Sequence, residues 1–348
     1  MTVPLQRAPR DLRRRLTLWS IATLFVIAMV ALLAACGSSS NNSSSTTSPS
    51  SSPSAAPSTA ATWTPADLAA VSTDASLKAM LPSSITTSNN LRVASDIPYP
   101  PWEYYVSATS KQATGFDYDL SQALGKKIGI PTSFSETPFD SIILAIKGGR
   151  RDMVMSDMYD NAQREAQGIT FVDYAYDGTS IIVMKGNPKG VTNLDSLAGQ
   201  TVATESGTTQ QAFLQTLNKQ FTAAGKKAIN VLALPNQPAA LLAVTSGRAV
   251  GDLTDHSTAE YIAKTTNNGN SFEVVADPAA PNGYDPQIVG VGIAKSNTAL
   301  INTVQKALQD LITEGTYQKI VASYGLLPVS SAQINQGSKP LPSTSATP

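Results

Sequence analysis

From Trp63 onward, short apolar runs of strand length alternate with segments whose apolar residues recur every three or four positions. That alternation belongs to α/β proteins, where helices cover a largely parallel sheet. Leu91 to Ser95 reads as a strand, ended by the proline-rich Asp96-Ile97-Pro98-Tyr99-Pro100-Pro101-Trp102. Phe116, Leu120, Leu124 and Ile128 follow at helical spacing, with Asp117 expected as the N-cap. Thr137-Pro138 opens a helix bearing Phe139, Ile142, Ile143 and Ile146, which Gly148-Gly149 closes; Met153 to Met155 is the next strand. Upstream, Thr64-Pro65-Ala66-Asp67 starts a weak helix expected to reach about Met80, so residues 63–90 form a helical N-terminal extension.

The second half repeats this grammar. Thr201 to Thr204, Ile229 to Leu234 and Ala249 to Leu253 read as strands, Phe213, Leu214 and Leu217 mark a helix, and Ser257-Thr258-Ala259-Glu260 looks like a capping box. A faint echo supports two similar lobes: Ala145-Ile146-Lys147-Gly148-Gly149-Arg150 then Asp157, against Ala243-Val244-Thr245-Ser246-Gly247-Arg248 then Asp255. Both acids then fall at carboxyl ends of strands, where open α/β sheets bind ligands.

The N-terminus carries a different message. Arg7, Arg10, Arg13, Arg14 and Arg15 precede an apolar run from Leu16 to Leu33, whose length alone fits either a signal peptide or a membrane anchor. Leu33-Ala34-Ala35-Cys36 resembles the lipobox of bacterial lipoproteins, in which the Cys is acylated and becomes the new N-terminus. Residues 1–35 are therefore expected to be a removed signal peptide, and Cys36 the lipid anchor that holds the protein at the extracytoplasmic face of the cell membrane. Without residues 1–35 the chain is mildly acidic. Gly37 to Thr62 hold 12 serines and no charged residue, so 36–62 read as a disordered tether and 329–348 as a second loose end. One Cys and one His leave no basis for a disulfide framework or a His/Cys metal cluster, and a net charge of zero leaves none for nucleic-acid binding. Neither a cofactor nor a metal is expected.

Several motifs carry a family resemblance. Leu91 to Asp96, Pro101-Trp102-Glu103, Gly115-Phe116-Asp117-Tyr118-Asp119-Leu120, Pro138-Phe139-Asp140-Ser141-Ile142 and Gly149-Arg150-Arg151-Asp152 resemble the first lobe of bacterial solute-binding proteins of family 3. Ser206-Gly207-Thr208-Thr209, Ala249 to Asp255 and Glu314-Gly315-Thr316-Tyr317-Gln318-Lys319-Ile320 resemble its second lobe and C-terminal return. The resemblance implies a type II periplasmic-binding-protein fold, a polar amino acid ligand, an ABC permease as partner and a monomer. It also implies two crossing strands, near Gly178 to Val183 and Gln287 to Ile293. Lobe 1 is then 91–181 plus 289–328, and lobe 2 is 182–288.

Arg164 follows Asn161, a good N-cap, so it falls in a first helical turn, where a cation is disfavoured by about 0.3–1 kcal/mol. A bound carboxylate would satisfy it, and the family places its carboxylate-binding Arg here, after the Ser matched by Ser156. A surface ion pair with Asp157, Asp160 or Glu165 is the other reading. Gly207-Thr208-Thr209 opens a facing helix, as an anion cradle or as ordinary capping. Asp255 matches the family's acid for an α-ammonium group, or caps the helix after it. The resemblance puts Asp96, Tyr99 and Trp102 against the ligand side chain, though Trp102 has the character of a packing residue. Two departures stand out: Ser156-Asp157-Met158-Tyr159 puts a phenol where family members carry a Thr or Ser hydroxyl, and Glu205 adds a carboxylate beside Ser206-Gly207. Asp96, Asp157 and Glu205, with Tyr99 and Tyr159 to stack on a cation, point to a basic or amine-bearing side chain. A dehydratase-like enzyme on the same scaffold, with Glu205 or Asp157 as acid–base group, and a ligand-presenting sensor are the alternatives.

Overall fold

The computed structural model describes residues 62–107 and 109–337. The expected signal peptide, Cys36, the tether up to residue 61 and the tail from 338 lie outside them. Among the described residues no helix is long and apolar enough to cross a membrane.

The N-terminal extension forms three short helices rather than one: α1 (Pro65–Ala70), α2 (Ala75–Met80) and α3 (Ser83–Ser88). Thr64 and Asp67 form the expected capping box, but Asp74 accepts from Ser76 N and starts a second helix, and Pro82 interrupts again. The extension is tied to the rest by Lys319 on Asp67 (2.6 Å) and by Trp63 N on Ser323 (2.7 Å).

Lobe 1 then runs β1 (Leu91–Ser95), the small hairpin β2 (Tyr104–Tyr105) and β3 (Ala113–Thr114), α4 (Phe116–Ile128), β4 (Thr132–Glu136), α5 (Ile142–Lys147), β5 (Met153–Val154) and α6 (Ala162–Ala166). The long β6 (Ile169–Met184) leads into lobe 2: β7 (Thr201–Glu205), α7 (Thr209–Ala223), β8 (Asn230–Leu234), α8 (Gln237–Thr245), β9 (Gly251–Asp255), α9 (His256–Thr265) and β10 (Phe272–Val274). The return passes through β11 (Tyr284–Ala294) to α10 (Thr298–Thr313), α11 (Thr316–Tyr324) and β12 (Leu327–Ile334).

The strands join in the order β4-β1-β5-β11-β6-β9-β7-β8, with β10 and β12 also on β6. Strands β4, β1 and β5 are parallel to one another, as are β8, β7 and β9; β6 and β11 run antiparallel to their neighbours and cross between the two sets. This is the α/β, two-lobed, type II arrangement that the resemblance implies, with its pair of crossing strands. Each lobe has its own core. Leu120, Leu124, Val304, Leu308 and Leu311 pack lobe 1, while Leu214, Phe221 and Leu253 pack one face of lobe 2 and Ala243, Val244 and Ile262 the other. Burying each such Leu or Phe contributes about 1.5–3 kcal/mol, which gives each lobe a core of its own.

Three local expectations are corrected. Helix α4 is entered through Gly115, not capped by Asp117: Gly115 has φ +114°, and a Cβ there would overlap the Trp102 carbonyl. Asp117 is instead fully buried and accepts the Asp157 N–H at 2.8 Å. Helix α9 begins at His256, one residue before the expected capping box, and the Ser257 hydroxyl goes to Asp177 at 2.5 Å. Residues 329–337 are not loose, because β12 pairs with β6 from Leu327↔Tyr176 to Ile334↔Val172 and buries Val329 and Ala332.

Candidate functional site

A narrow cavity lies between the lobes, lined from lobe 1 by Asp96, Tyr99, Phe139, Ser156, Asp157 and Arg164, and from lobe 2 by Glu205, Thr208, Thr209, Gln210 and Asp255. The strands deliver these groups: Asp96 follows β1, Asp157 follows β5, and Glu205 and Asp255 end β7 and β9. All lie at carboxyl ends of parallel strands, the usual ligand position in open α/β sheets.

Arg164 sits in the first turn of α6 with its N–H on Asn161 Oδ1 at 2.9 Å, as the cap predicts. Its guanidinium is buried, donates to the Tyr159 carbonyl at 2.7 Å and lies 5.4 Å from the Phe139 ring centroid. Among the described residues it forms no ion pair, so the alternative pairing with Asp157, Asp160 or Glu165 is not made. Burial lowers its pKa to about 10, against the opposing pull of Asp255 and Asp157. Such a group gains from an anion delivered to it in a dry cleft.

Asp255 precedes α9 but makes no side-chain cap. Instead Oδ2 accepts from the Tyr99 hydroxyl at 2.5 Å and Oδ1 from Gln210 Nε2 at 2.6 Å. Burial pushes its carboxyl up to about 6, although the Tyr159 and Tyr99 hydroxyls work the other way. Tyr99 thus links the lobes, its oxygen also lying 2.8 Å from Thr254 Oγ1.

At the other side of the cavity Asp96 and Glu205 face each other across the cleft within hydrogen-bonding reach. Asp96 Oδ2 accepts the Phe139 N–H at 2.8 Å, and the Asp96 N–H goes to Ser156 Oγ at 2.9 Å. Burial, then the Asp96 carboxyl, pushes Glu205 up to about 10; burial raises Asp96 as well. The two carboxyls are therefore expected to share a proton at neutral pH. A carboxyl raised in this way favours folding below its ordinary value of 4.5 and loses that contribution as pH rises toward about 10. The expected result is a melting temperature that falls between pH 5 and pH 9, by about 2–4 °C per pH unit at most. Glu205→Gln should flatten that slope in thermal melts, and an unaltered slope would refute the shared proton.

The remaining candidates divide. Thr208 caps α7, accepting from Gln211 N at 3.2 Å and donating to the Glu205 carbonyl at 2.8 Å, while Thr209 Oγ1 donates to Gln210 at 3.2 Å. Gly207 lines the outer mouth rather than the inner cavity; its φ is +81°, and a Cβ would meet Asp140 across the cleft at 3.0 Å. The Ser156 hydroxyl is committed to Glu103 Oε1 at 2.6 Å. Two expectations fail on orientation. Trp102 is fully buried against Phe116 and Tyr174, donates Nε1–H to Ser257 Oγ at 2.9 Å, and is not among the side chains that line the cavity. Tyr159 is buried too, its hydroxyl on the Gly178 carbonyl at 3.2 Å, and it is not among the side chains that line the cavity.

Phe139 and Gln210 line the cavity but were not singled out from sequence. Phe139 falls at a helical spacing that reads as packing, and Gln210 adjoins Thr208-Thr209 without a spacing signal of its own.

The description "Bacterial extracellular solute-binding proteins, family 3" matches residues 91–326. The chain belongs to that family. It is 29% identical over 237 residues to the "Putative ABC transporter arginine-binding protein 2" of Escherichia coli strain K12, covering 68% of this chain and 91% of that one. Over 262 residues it is 29% identical to the "Lysine/arginine/ornithine-binding periplasmic protein" of the same strain, covering 74% and 93%. Among solved structures it is similar to "An ancestral arginine-binding protein bound to arginine", with 28% identity, a TM-score of 0.58, and 68% and 97% of the two chains covered. These family-3 relatives are amino acid-binding proteins, and this chain shares their fold.

Proposed function

We propose that this protein is a lipid-tethered receptor that captures a basic amino acid, arginine foremost, between its lobes and presents the closed complex to an ABC importer. The observation that carries the reading is the placement of Arg164 and Asp255 on opposite lobes around one cavity. A zwitterion fits them, with its carboxylate on the guanidinium and its ammonium on the acid. The side chain then extends toward Asp96, Glu205 and Phe139, a carboxyl pair beside an aromatic face, which favours a cation over a neutral amide. The arginine-binding and lysine/arginine/ornithine-binding relatives support the same class. A ligand that bridges both lobes binds the closed form better than the open one, which drives closure.

Calorimetry with purified protein tests this. Arginine and lysine are expected to bind at least tenfold more tightly than glutamine, and equal affinities would defeat the basic-ligand reading. Tethering has a separate test: Cys36→Ser should move the protein from the membrane fraction to the soluble one, and continued retention would favour an uncleaved anchor.

A further inference from the structure

Arg164 stands on a helix that cannot hold its own position. Helix α6 is five residues long, too short to persist alone in water, and Arg164 is its only buried residue. The segment just before it supplies the support: Arg164 Nη1 donates to the Tyr159 carbonyl, and the Arg164 N–H to Asn161 Oδ1. Asp160 lies between those two acceptors. Strand β11 holds one side of this segment, with the Asp160 N–H on the Ile288 carbonyl at 2.9 Å and the Gly290 N–H on the Met158 carbonyl at 3.2 Å.

The other hold comes from a stretch distant in sequence. Residues 335–337 follow β12 and lie outside the 91–326 match to the family. Asn335 is fastened to β6: its N–H donates to the Phe171 carbonyl at 3.2 Å, and its Oδ1 accepts the Phe171 N–H at 2.8 Å. The next two N–H groups end on buried carboxylates, Gln336 on Asp173 Oδ2 at 3.1 Å and Gly337 on Asp160 Oδ2 at 2.7 Å. Bonds of this charge-assisted kind are among the stronger ones. Gly337 packs so closely that a Cβ there would overlap the Asp160 carbonyl. Asp160 and Asp173 also lie within hydrogen-bonding reach of each other. Burial raises Asp173 to about 8 and Asp160 to about 6, so at neutral pH the pair shares a proton instead of repelling.

We propose that Asn335-Gln336-Gly337 is a clasp that pins Asp160 to β6 and thereby positions Arg164 for the ligand carboxylate. A guanidinium grips a carboxylate well only when its supporting groups keep it within a fraction of an ångström of the productive place. Asp160, Asp173 and Gly337 do not line the cavity, so they are positioning residues that act through Arg164. The inference rests on the reading of Arg164 as the carboxylate anchor and adds to it the segment that sets the anchor.

A double-mutant cycle on the full chain, read by arginine calorimetry, provides the test. Gly337→Ala is expected to weaken arginine about tenfold in the wild-type background, but less than about twofold on top of Arg164→Ala, because the clasp then has nothing left to position. Asn335→Ala, which removes the acceptor from the Phe171 N–H, should repeat that pattern, and it carries the test if Gly337→Ala fails to fold. Wild-type affinity in these variants, or equal losses with and without Arg164, would overturn the clasp. Wild-type affinity in Arg164→Ala alone would overturn the carboxylate reading, and the clasp with it.

Discussion

Replacing Arg164 with alanine should lower arginine affinity at least thirtyfold while leaving the melting temperature within a few degrees. Removing one partner of a buried, hydrogen-bonded charge pair costs about 2–5 kcal/mol in binding, and each 1.4 kcal/mol is tenfold in Kd. Stability should respond far less. The guanidinium is buried without an ion-pair partner among the described residues, and its desolvation has already lowered its pKa to about 10. Folding therefore gains little from it beyond the bond to the Tyr159 carbonyl. Calorimetry and thermal melts on one preparation separate the two effects. Unchanged affinity would remove the carboxylate from Arg164, and a large loss of melting temperature would make the residue structural.

The second large effect belongs to Asp255. Asp255→Asn keeps the shape of the side chain but withdraws the charge from an ammonium group, so arginine binding should fall by about 2–4 kcal/mol, or roughly 30- to 1,000-fold. The desamino analogue, with no ammonium to lose, should weaken much less; equal losses would contradict the ammonium role. The same group predicts a pH dependence. Its carboxyl titrates at about 6 because burial outweighs the Tyr159 and Tyr99 hydroxyls. The binding form is the carboxylate, so protons compete, and affinity should fall as pH drops below 6, by up to tenfold per unit. Asp255→Asn should abolish that component.

These two residues were readable in the sequence for local reasons. Arg164 stands three residues beyond an Asn cap, and Asp255 stands two residues beyond Ala249 to Leu253, which reads as a strand, so each position depends on its own segment. The crossing strands were readable because each leads from one lobe's pattern into the other's. What could not be read depends on contacts distant in sequence. Trp102 and Tyr159 are aromatic residues in the right loops, but which way a ring turns is set by partners such as Ser257 and Gly178, far along the chain. Asp177 gave no signal, since its partner Ser257 is 80 positions away and its strand is buried almost throughout. Strand β12 was missed because its polar residues face outward while Val329 and Ala332 carry the burial. Asp117 was misplaced as a cap because only the fold shows Gly115 against the Trp102 carbonyl.

Strand β12 has a mechanical consequence. It lies along Val172 to Tyr176 of β6, while β9 grips Thr179 to Ile182 on the lobe 2 side. Between these clamps Asp177-Gly178-Thr179 is the stretch where β6 changes partners and where its register with β11 shifts, at Gln287↔Asp177 and Tyr284↔Thr179. A ribbon stiffened on both sides of so short an interval turns like a door on a single pin. Any swing would be concentrated in a few peptide units, and a Cβ added at Gly178, which would strike the Asn282 carbonyl, should jam the pin.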